Sequence, residues 1–112
     1  MSPDLSEPLL DLVTRRLQAI SEPTRVRLVT ILERGEATVQ GLTDQLLTTH
    51  QNVSKHLAIL LQAGIVSRRR DGNKVWYSLA DYSACKLIEQ AVKSATGYAE
   101  ELAAIAGLEA SE

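Results

Sequence analysis

Three consecutive runs decide the fold: VQGLTDQL at residues 39–46, THQNVSKHLAILLQAG at 49–64, and IVSRRRDGNKVWYSL at 65–79. Thr38 can cap a short helix carrying Val39, Leu42 and Leu46 on one side. Thr49 can cap a second helix, which stops before Gly64. In the third run Asp71-Gly72-Asn73 marks a tight hairpin, and Val75, Tyr77 and Leu79 alternate on its second strand. Two short helices and a basic hairpin together can put side chains on base edges and cations on phosphates.

The second of these helices sorts by face at about 100° per residue. Val53, Leu57, Leu60 and Leu61 point one way and are expected in the core. Gln51, Lys55, Ala58 and Gln62 point the opposite way, Ser54 lies on the flank, and His50 and Asn52 sit at the N-terminal lip. Gln and Asn can bond adenine bidentately, Lys can reach guanine or phosphate, and Ser can take either partner. The helix N-terminus adds backbone N–H groups that favour a phosphate. The same composition would suit a solvated helix face. The short helix before it and the basic hairpin after it favour the nucleic-acid reading.

Working outward, a first helix starts after Ser6 with Pro8 in its first turn, and Leu9, Leu10, Val13, Leu17 and Ile20 share one face. Ser21-Glu22-Pro23 breaks it and restarts another, with Ser21 as the expected N-cap; this helix runs to about Arg34 and stops at Gly35. Asp81 opens a long fifth helix whose stripe is Leu87, Ile88, Ala91, Val92, Ala95, Leu102 and Ile105, loosened midway at Gly97. The expectation is a mainly α fold with a small β-hairpin: a winged helix-turn-helix of about five helices. It is read as a single domain over 1–112, with a DNA-binding core at about 21–80 flanked by helices at about 7–20 and 81–106.

Composition agrees with this plan. The 112 residues are 45% apolar but include no Phe, so the core must come from Leu, Ile, Val and Ala. A core that small, lined with long amphipathic helices, invites a second copy. The net charge is −2, yet its distribution matters more. Asp4, Glu7 and Asp11 make one end acidic, and Glu100, Glu101, Glu109 and Glu112 the other. Between His50 and Tyr77, Lys55, Arg68, Arg69, Arg70 and Lys74 face only Asp71, the surplus a phosphate backbone needs. The opening MSPDLSEP has no basic or apolar signal region, and no apolar run approaches the ~18 residues of a membrane span. One cysteine allows no intrachain disulfide. A cytoplasmic protein without membrane contact is expected.

The runs EPTRVRLVTIL (22–32), VSKHLAILLQAGIV (53–66) and RRRDGNKVWYSLAD (68–81) occur in an order and spacing that carry a resemblance. From about Ser21 to Asp81 the chain resembles the ArsR/SmtB family of bacterial winged-helix repressors. The resemblance implies a homodimer built from the first and fifth helices, dimeric through about 7–20 and 81–106, on double-stranded DNA, its two recognition helices reading a two-fold symmetric operator. It implies DNA contacts at His50, Gln51, Ser54 and Lys55, with Asn52 close by, and wing contacts from Arg69, Arg70 and Lys74. Arg68 is set apart, because strand alternation points it away from Arg69.

Many members of that family release DNA when a metal binds. One such site uses cysteines on the third helix, where this chain reads Gly41-Leu42-Thr43-Asp44-Gln45-Leu46 and offers no soft ligand. The positions matching the other site are Asp81, Ser83, Ser94 and Gly97. One carboxylate cannot hold zinc, which usually takes four ligands. His50 and His56 lie six residues apart on different sides of one helix. No metal and no cofactor is expected.

Cys85, Trp76, Tyr82 and Tyr98 remain as candidate effector or redox residues. Cys85 reads as a small buried residue or as a thiol sensor without a resolving partner in its own chain. Trp76 lies on the strand face opposite Val75 and Tyr77, to pack on a helix or line an effector pocket. Tyr82 and Tyr98 could line a cavity at the dimer interface.

The expected function is a sequence-specific DNA-binding transcriptional regulator: a repressor on an inverted repeat, not metal-sensing, released by a small organic effector. One alternative is a redox-responsive repressor sensing through Cys85. Another is a winged-helix protein-interaction module, which would want an apolar or acidic outer face that Gln51, Lys55 and Gln62 do not give. No paired carboxylates, nucleophile elbow, glycine-rich phosphate loop or metal cluster supports an enzyme.

Overall fold

The computed structural model describes residues 4–110. In chain order its elements are α1 (Glu7–Ile20), α2 (Pro23–Glu33), β1 (Ala37–Thr38), α3 (Val39–Leu46), α4 (His50–Gln62), β2 (Val66–Asp71), β3 (Lys74–Leu79) and α5 (Ser83–Ala110). Short polar caps set the helix starts. Oγ of Ser6 accepts from the Leu9 N–H at 3.4 Å, Thr38 from Gly41 at 3.2 Å and Thr49 from Asn52 at 3.1 Å. Each satisfies a donor that the first turn leaves without an intrahelical partner.

Ser21 departs from expectation. It closes α1, donating its N–H to the Leu17 carbonyl at 2.9 Å, and Glu22 caps α2 through its carboxylate, which accepts from Arg25 N–H at 2.9 Å. With only Ser21 and Glu22 between the helices, Ser21 is spent on finishing the first. The anionic residue falls at the positive end of the second.

The hairpin is also larger than expected. Ala37 and Thr38 pair with Tyr77 and Trp76, so the sheet has three antiparallel strands in the order β1-β3-β2. A two-residue strand is too short to show alternation, which hides it from the sequence. At the wing tip Asp71 pairs with Lys74 around Gly72-Asn73, and Gly72 has φ 65°. A positive φ at the first loop position is the type II′ pattern that fits strand twist, and glycine adopts it without strain.

Leu28, Leu32, Leu42, Leu57, Leu60 and Ile65 are wholly buried where α2, α3, α4 and the sheet meet. Truncating Leu57 to Ala there would cost about 2–5 kcal/mol through lost burial and an unfilled cavity. This packing holds α4 with Val53, His56, Leu57 and Leu60 inward and Gln51, Lys55, Ala58 and Gln62 on its outer side.

The long α5 behaves differently. Ala84 is buried and Cys85 and Ile88 half-buried, but from Glu89 to Gly107 every residue is exposed. The helix runs unbroken through Gly97, where loosening was expected. One glycine costs only about 1 kcal/mol relative to alanine, too little to break a helix that continues on both sides. Projection of α5 gives a radius of gyration of 17.9 Å, against about 13 Å for a compact chain of some 100 residues. No helix among the described residues is long and apolar enough to cross a membrane.

Candidate nucleic-acid interface

The turn from α3 into α4 sets the candidate reading face. Leu47 closes α3 in the left-handed conformation at φ 52°, with its side chain 93% exposed. A leucine there is strained by about 1 kcal/mol or more, and nothing in the residue type announces it. Thr48 and Thr49 follow, and α4 begins at His50. Gln51 and Lys55 stand exposed on the outer face, with Ser54 half-buried beside them. Asn52 is half-buried, and its side-chain amide donates to Thr48 Oγ1 at 3.2 Å. That bond turns Asn52 towards the turn and leaves Gln51 as the freer amide. His50 shares a groove of about 550 Å³ with Gly41 of α3 and Asn73, Lys74 and Val75 of the wing.

The wing cations divide between the two faces of the hairpin. Cross-strand pairs share a face, and successive residues alternate. Arg69 is opposite Trp76, while Arg68 and Arg70 are opposite Tyr77 and Val75. Arg68 and Arg70 therefore share a face, and Arg69 is on the other. Arg69 donates from Nε and Nη2 to the two carboxylate oxygens of Glu36 at 3.1 and 2.5 Å. Its Nη1 is 3.8 Å from Asp71 and its guanidinium lies 5.7 Å from the Trp76 ring centre. The hydrogen bonds from Arg69 hold the Glu36 carboxyl below its ordinary pKa. Among the described residues, Arg68, Arg70, Lys74 and Lys55 form no ion pair, and all four are exposed.

Two guanidinium groups fasten α4 from behind. Arg16 of α1 donates to the Ala63 carbonyl at the end of α4, at 2.7 Å, and to Asp81 Oδ2. Arg25 of α2 donates to the Ala19 and Gln18 carbonyls at 2.6 and 3.3 Å, and to Nδ1 of His56 at 2.9 Å. Because arginine has no acceptor, His56 Nδ1 must accept, which places the ring proton on Nε2. Burial holds His56 below its ordinary pKa; Arg25 and Lys55 add to this, while Glu22 at 3.5 Å pulls the other way. Sequence spacing gives no sign of either fastening, since the partners lie up to 65 residues apart.

The matching metal positions do not fit zinc. Asp81 Oδ2 receives Arg16, and Oδ1 receives both the N–H and the hydroxyl of Ser83. The Ser83 bonds first, then Arg16, hold the Asp81 carboxyl below its usual range. A carboxylate already charge-paired with its own chain's cation, beside Ser83, Ser94 and Gly97, is a poor donor set for a dication.

Cys85 is half-buried, and burial, with the adjacent Glu33 carboxylate, pushes its thiol up to about 11. Trp76 is half-buried, with the Arg69 guanidinium over its ring. Tyr82 and Tyr98 are exposed, the first just before α5 and the second on it. An apolar groove of about 410 Å³ separates α1 from α5, with Leu17, Ile20, Val26, Leu87, Ile88 and Val92 on its walls.

Residues 22–68 match the family model described as "Bacterial regulatory protein, arsR family". The chain is 36% identical over 78 residues to a probable mercury resistance operon repressor of Streptomyces lividans, covering 70% of this chain and 62% of that protein. It is 36% identical over 87 residues to the transcriptional repressor SmtB of Mycobacterium tuberculosis, covering 78% of this chain and 64% of that protein. The chain thus spans less than two thirds of the length of these relatives. The crystal structure of M. tuberculosis Rv0081 superposes with a TM-score of 0.75 at 30% identity, covering 86% of this chain and 97% of that one. A homodimeric winged helix-turn-helix DNA-binding domain from Mycobacterium bovis superposes with a TM-score of 0.75 at 25% identity, covering 89% and 93%.

Proposed function

The chain belongs to the ArsR family of bacterial regulatory proteins, DNA-binding transcriptional regulators and not enzymes, and from that premise we propose a homodimeric repressor of an inverted-repeat operator. The observation that carries the reading is the outer face of α4. Gln51 and Lys55 are exposed there on a helix whose opposite side is locked into the core, next to a wing with cations that pair with no carboxylate among the described residues. In this reading Gln51, Ser54 and Lys55 meet base edges in the major groove, and His50 and Asn52 lie at its lip. Arg68, Arg70 and Lys74 meet phosphates along the flanking backbone.

The dimer is assigned to α1 (within about 7–20) and α5 (within about 81–106), around a DNA-binding core at about 21–80. Leu9, Leu10, Val13 and Leu17 of α1 and Leu87, Val92, Leu102 and Ile105 of α5 are 38–57% exposed, an apolar extent that one copy leaves in water. The structural neighbour from M. bovis is homodimeric, which supports a second copy but not a particular interface. Two copies would set two α4 helices about one or more DNA turns apart.

Regulation is assigned to a small organic effector rather than a metal. The apolar groove between α1 and α5 gives such a molecule a place to act on dimer geometry, and the engagement of Asp81 by Arg16 argues against zinc there. An effector that binds one dimer geometry better shifts the population away from the DNA-competent one.

The test is selection of bound sequences from random duplex DNA by purified protein at about 150 mM salt, where non-specific phosphate binding is weakened. An inverted repeat with two equal half-sites is expected. Enrichment of a single half-site, or of no motif from a folded dimer, would overturn the reading.

A further inference from the structure

The wing carries three adjacent arginines, and the middle one is tied down on every side that bears a donor. Both donors on the outer edge of Arg69 go to Glu36, Nη1 faces Asp71, and one flat face covers Trp76. Two carboxylates around one guanidinium leave that spot net negative, so a DNA phosphate gains little by approaching it.

The path of this contact matters more than its strength. Arg69 is on β2, Trp76 is its partner on β3, and Thr38 of β1 pairs with Trp76 from the other side. Glu36 is two residues before Thr38, in the segment just before β1, and its carboxylate accepts both hydrogen bonds from Arg69. The Arg69 side chain therefore spans the sheet over Trp76, joining the outer wing strand to the segment that leads from α2 into β1. An exposed ion pair of this kind contributes little to global stability. It can still fix the angle of a wing whose tip projects as two strands alone.

Arg68 and Arg70 are on the opposite face. Val75, the cross-strand neighbour of Arg70, lines the groove that also holds His50, the first residue of α4. The free wing charge is thus on the side that looks towards the start of the recognition helix.

We propose that Arg69 is a positioning residue latched by Glu36 across Trp76, and that Arg68 and Arg70, not Arg69, carry the wing's phosphate contacts. This rests on the reading of the chain as a DNA-binding repressor. The latch makes an unusual sign prediction: removing a negative charge near DNA should weaken binding.

The experiment compares E36Q, R69Q, R69K and R70Q in the full chain for DNA affinity as a function of salt, and for acrylamide quenching of Trp76, the only tryptophan. E36Q and R69Q should each weaken binding several-fold with the salt slope unchanged, and both should raise Trp76 quenching without DNA. R69K keeps the charge but loses the fork, and should behave like R69Q. R70Q should lower the salt slope by about 0.9 for each phosphate that Arg70 neutralises in the wild type, and leave quenching unchanged. Tighter binding and a steeper slope in E36Q would overturn the latch, because Arg69 would then be a phosphate contact masked by Glu36. Unchanged quenching and affinity in E36Q and R69Q would overturn it as well. A wild-type protein that fails to bind duplex DNA would defeat the repressor reading, while the quenching comparison would still decide whether the latch exists.

Discussion

Arg25 and His56 meet at 2.9 Å, guanidinium Nη1 to imidazole Nδ1, and join the second helix to the inner side of α4. Arg25 also holds the Gln18 and Ala19 carbonyls at the end of α1. One side chain thus connects the helix assigned to the dimer interface with the helix assigned to DNA. A neutral His56 suits this arrangement, because a proton on Nδ1 would face a permanent cation.

That arrangement gives stability a pH dependence with a definite sign. The His56 pKa is lower in the folded state than its ordinary value of 6.5. Between the folded and unfolded values the unfolded chain binds more protons, so stability rises with pH and is lost as pH falls below about 6.5. Urea midpoints between pH 7.5 and 5.5 should therefore decline, and the decline should be smaller in His56→Gln. The depressed carboxyls of Glu22, Glu36 and Asp81 lose their contribution only at lower pH, below their ordinary values of 4.5, 4.5 and 3.8. Equal pH slopes in wild type and variant would remove His56 from the account.

Gln51→Ala should cost about 1–3 kcal/mol at the selected operator and relax preference at one base pair per half-site. Titration against operator and random duplex separates base reading from general adhesion. Equal losses on both would count against a base-reading Gln51.

A charge placed on the exposed apolar faces should split the dimer. Leu17→Glu or Val92→Glu, at residues 49% and 57% exposed, is expected to give a folded monomer by light scattering and to abolish operator binding. Each half-site is weak alone, and only the dimer engages both at once. A dimer that survives both substitutions would place the interface elsewhere.

The Cys85 thiol, pushed up to about 11, holds little thiolate at neutral pH. Labelling by a disulfide reagent at pH 8 should be slow in the folded protein and fast after unfolding. Cys85→Ser should bind DNA as wild type does, before and after mild peroxide. Loss of binding on oxidation in wild type alone would restore the redox alternative.

Leu47 holds φ 52° with its side chain almost wholly in water, so its replacement loses strain and no packing. Leu47→Asn should raise stability by about 0.5–1 kcal/mol, read from the urea midpoint. A decrease would show that the leucine packs against something that one copy of the chain does not contain.

Most of the fold was legible along the chain because its signals are local. The caps at Ser6, Thr38 and Thr49, the buried side of α4 and the turn at Gly72-Asn73 each depend on residues within about one or two helical turns. The exposed face of α4 followed from the same periodicity, so Gln51 and Lys55 could be named from spacing alone. β1 escaped because two residues have no period, and Ser21 because only two residues join α1 to α2, so its N–H closes α1 while the Glu22 carboxylate caps α2.

Local periodicity and capping chemistry thus let the sequence by itself determine the helices, the hairpin and the polar face of α4, while the resemblance carried by the runs at 22–32, 53–66 and 68–81 pointed to the family. Tertiary structure alone decided which charges are free. Glu36 and Arg69 are 33 residues apart, Arg16 and Asp81 are 65 apart, and Arg25 and His56 are 31 apart. Nothing in the neighbourhood of any one of them reveals its partner. Three arginines in a row look equivalent in a sequence, but strand alternation and one carboxylate across the sheet put the middle one on the other face with a partner of its own.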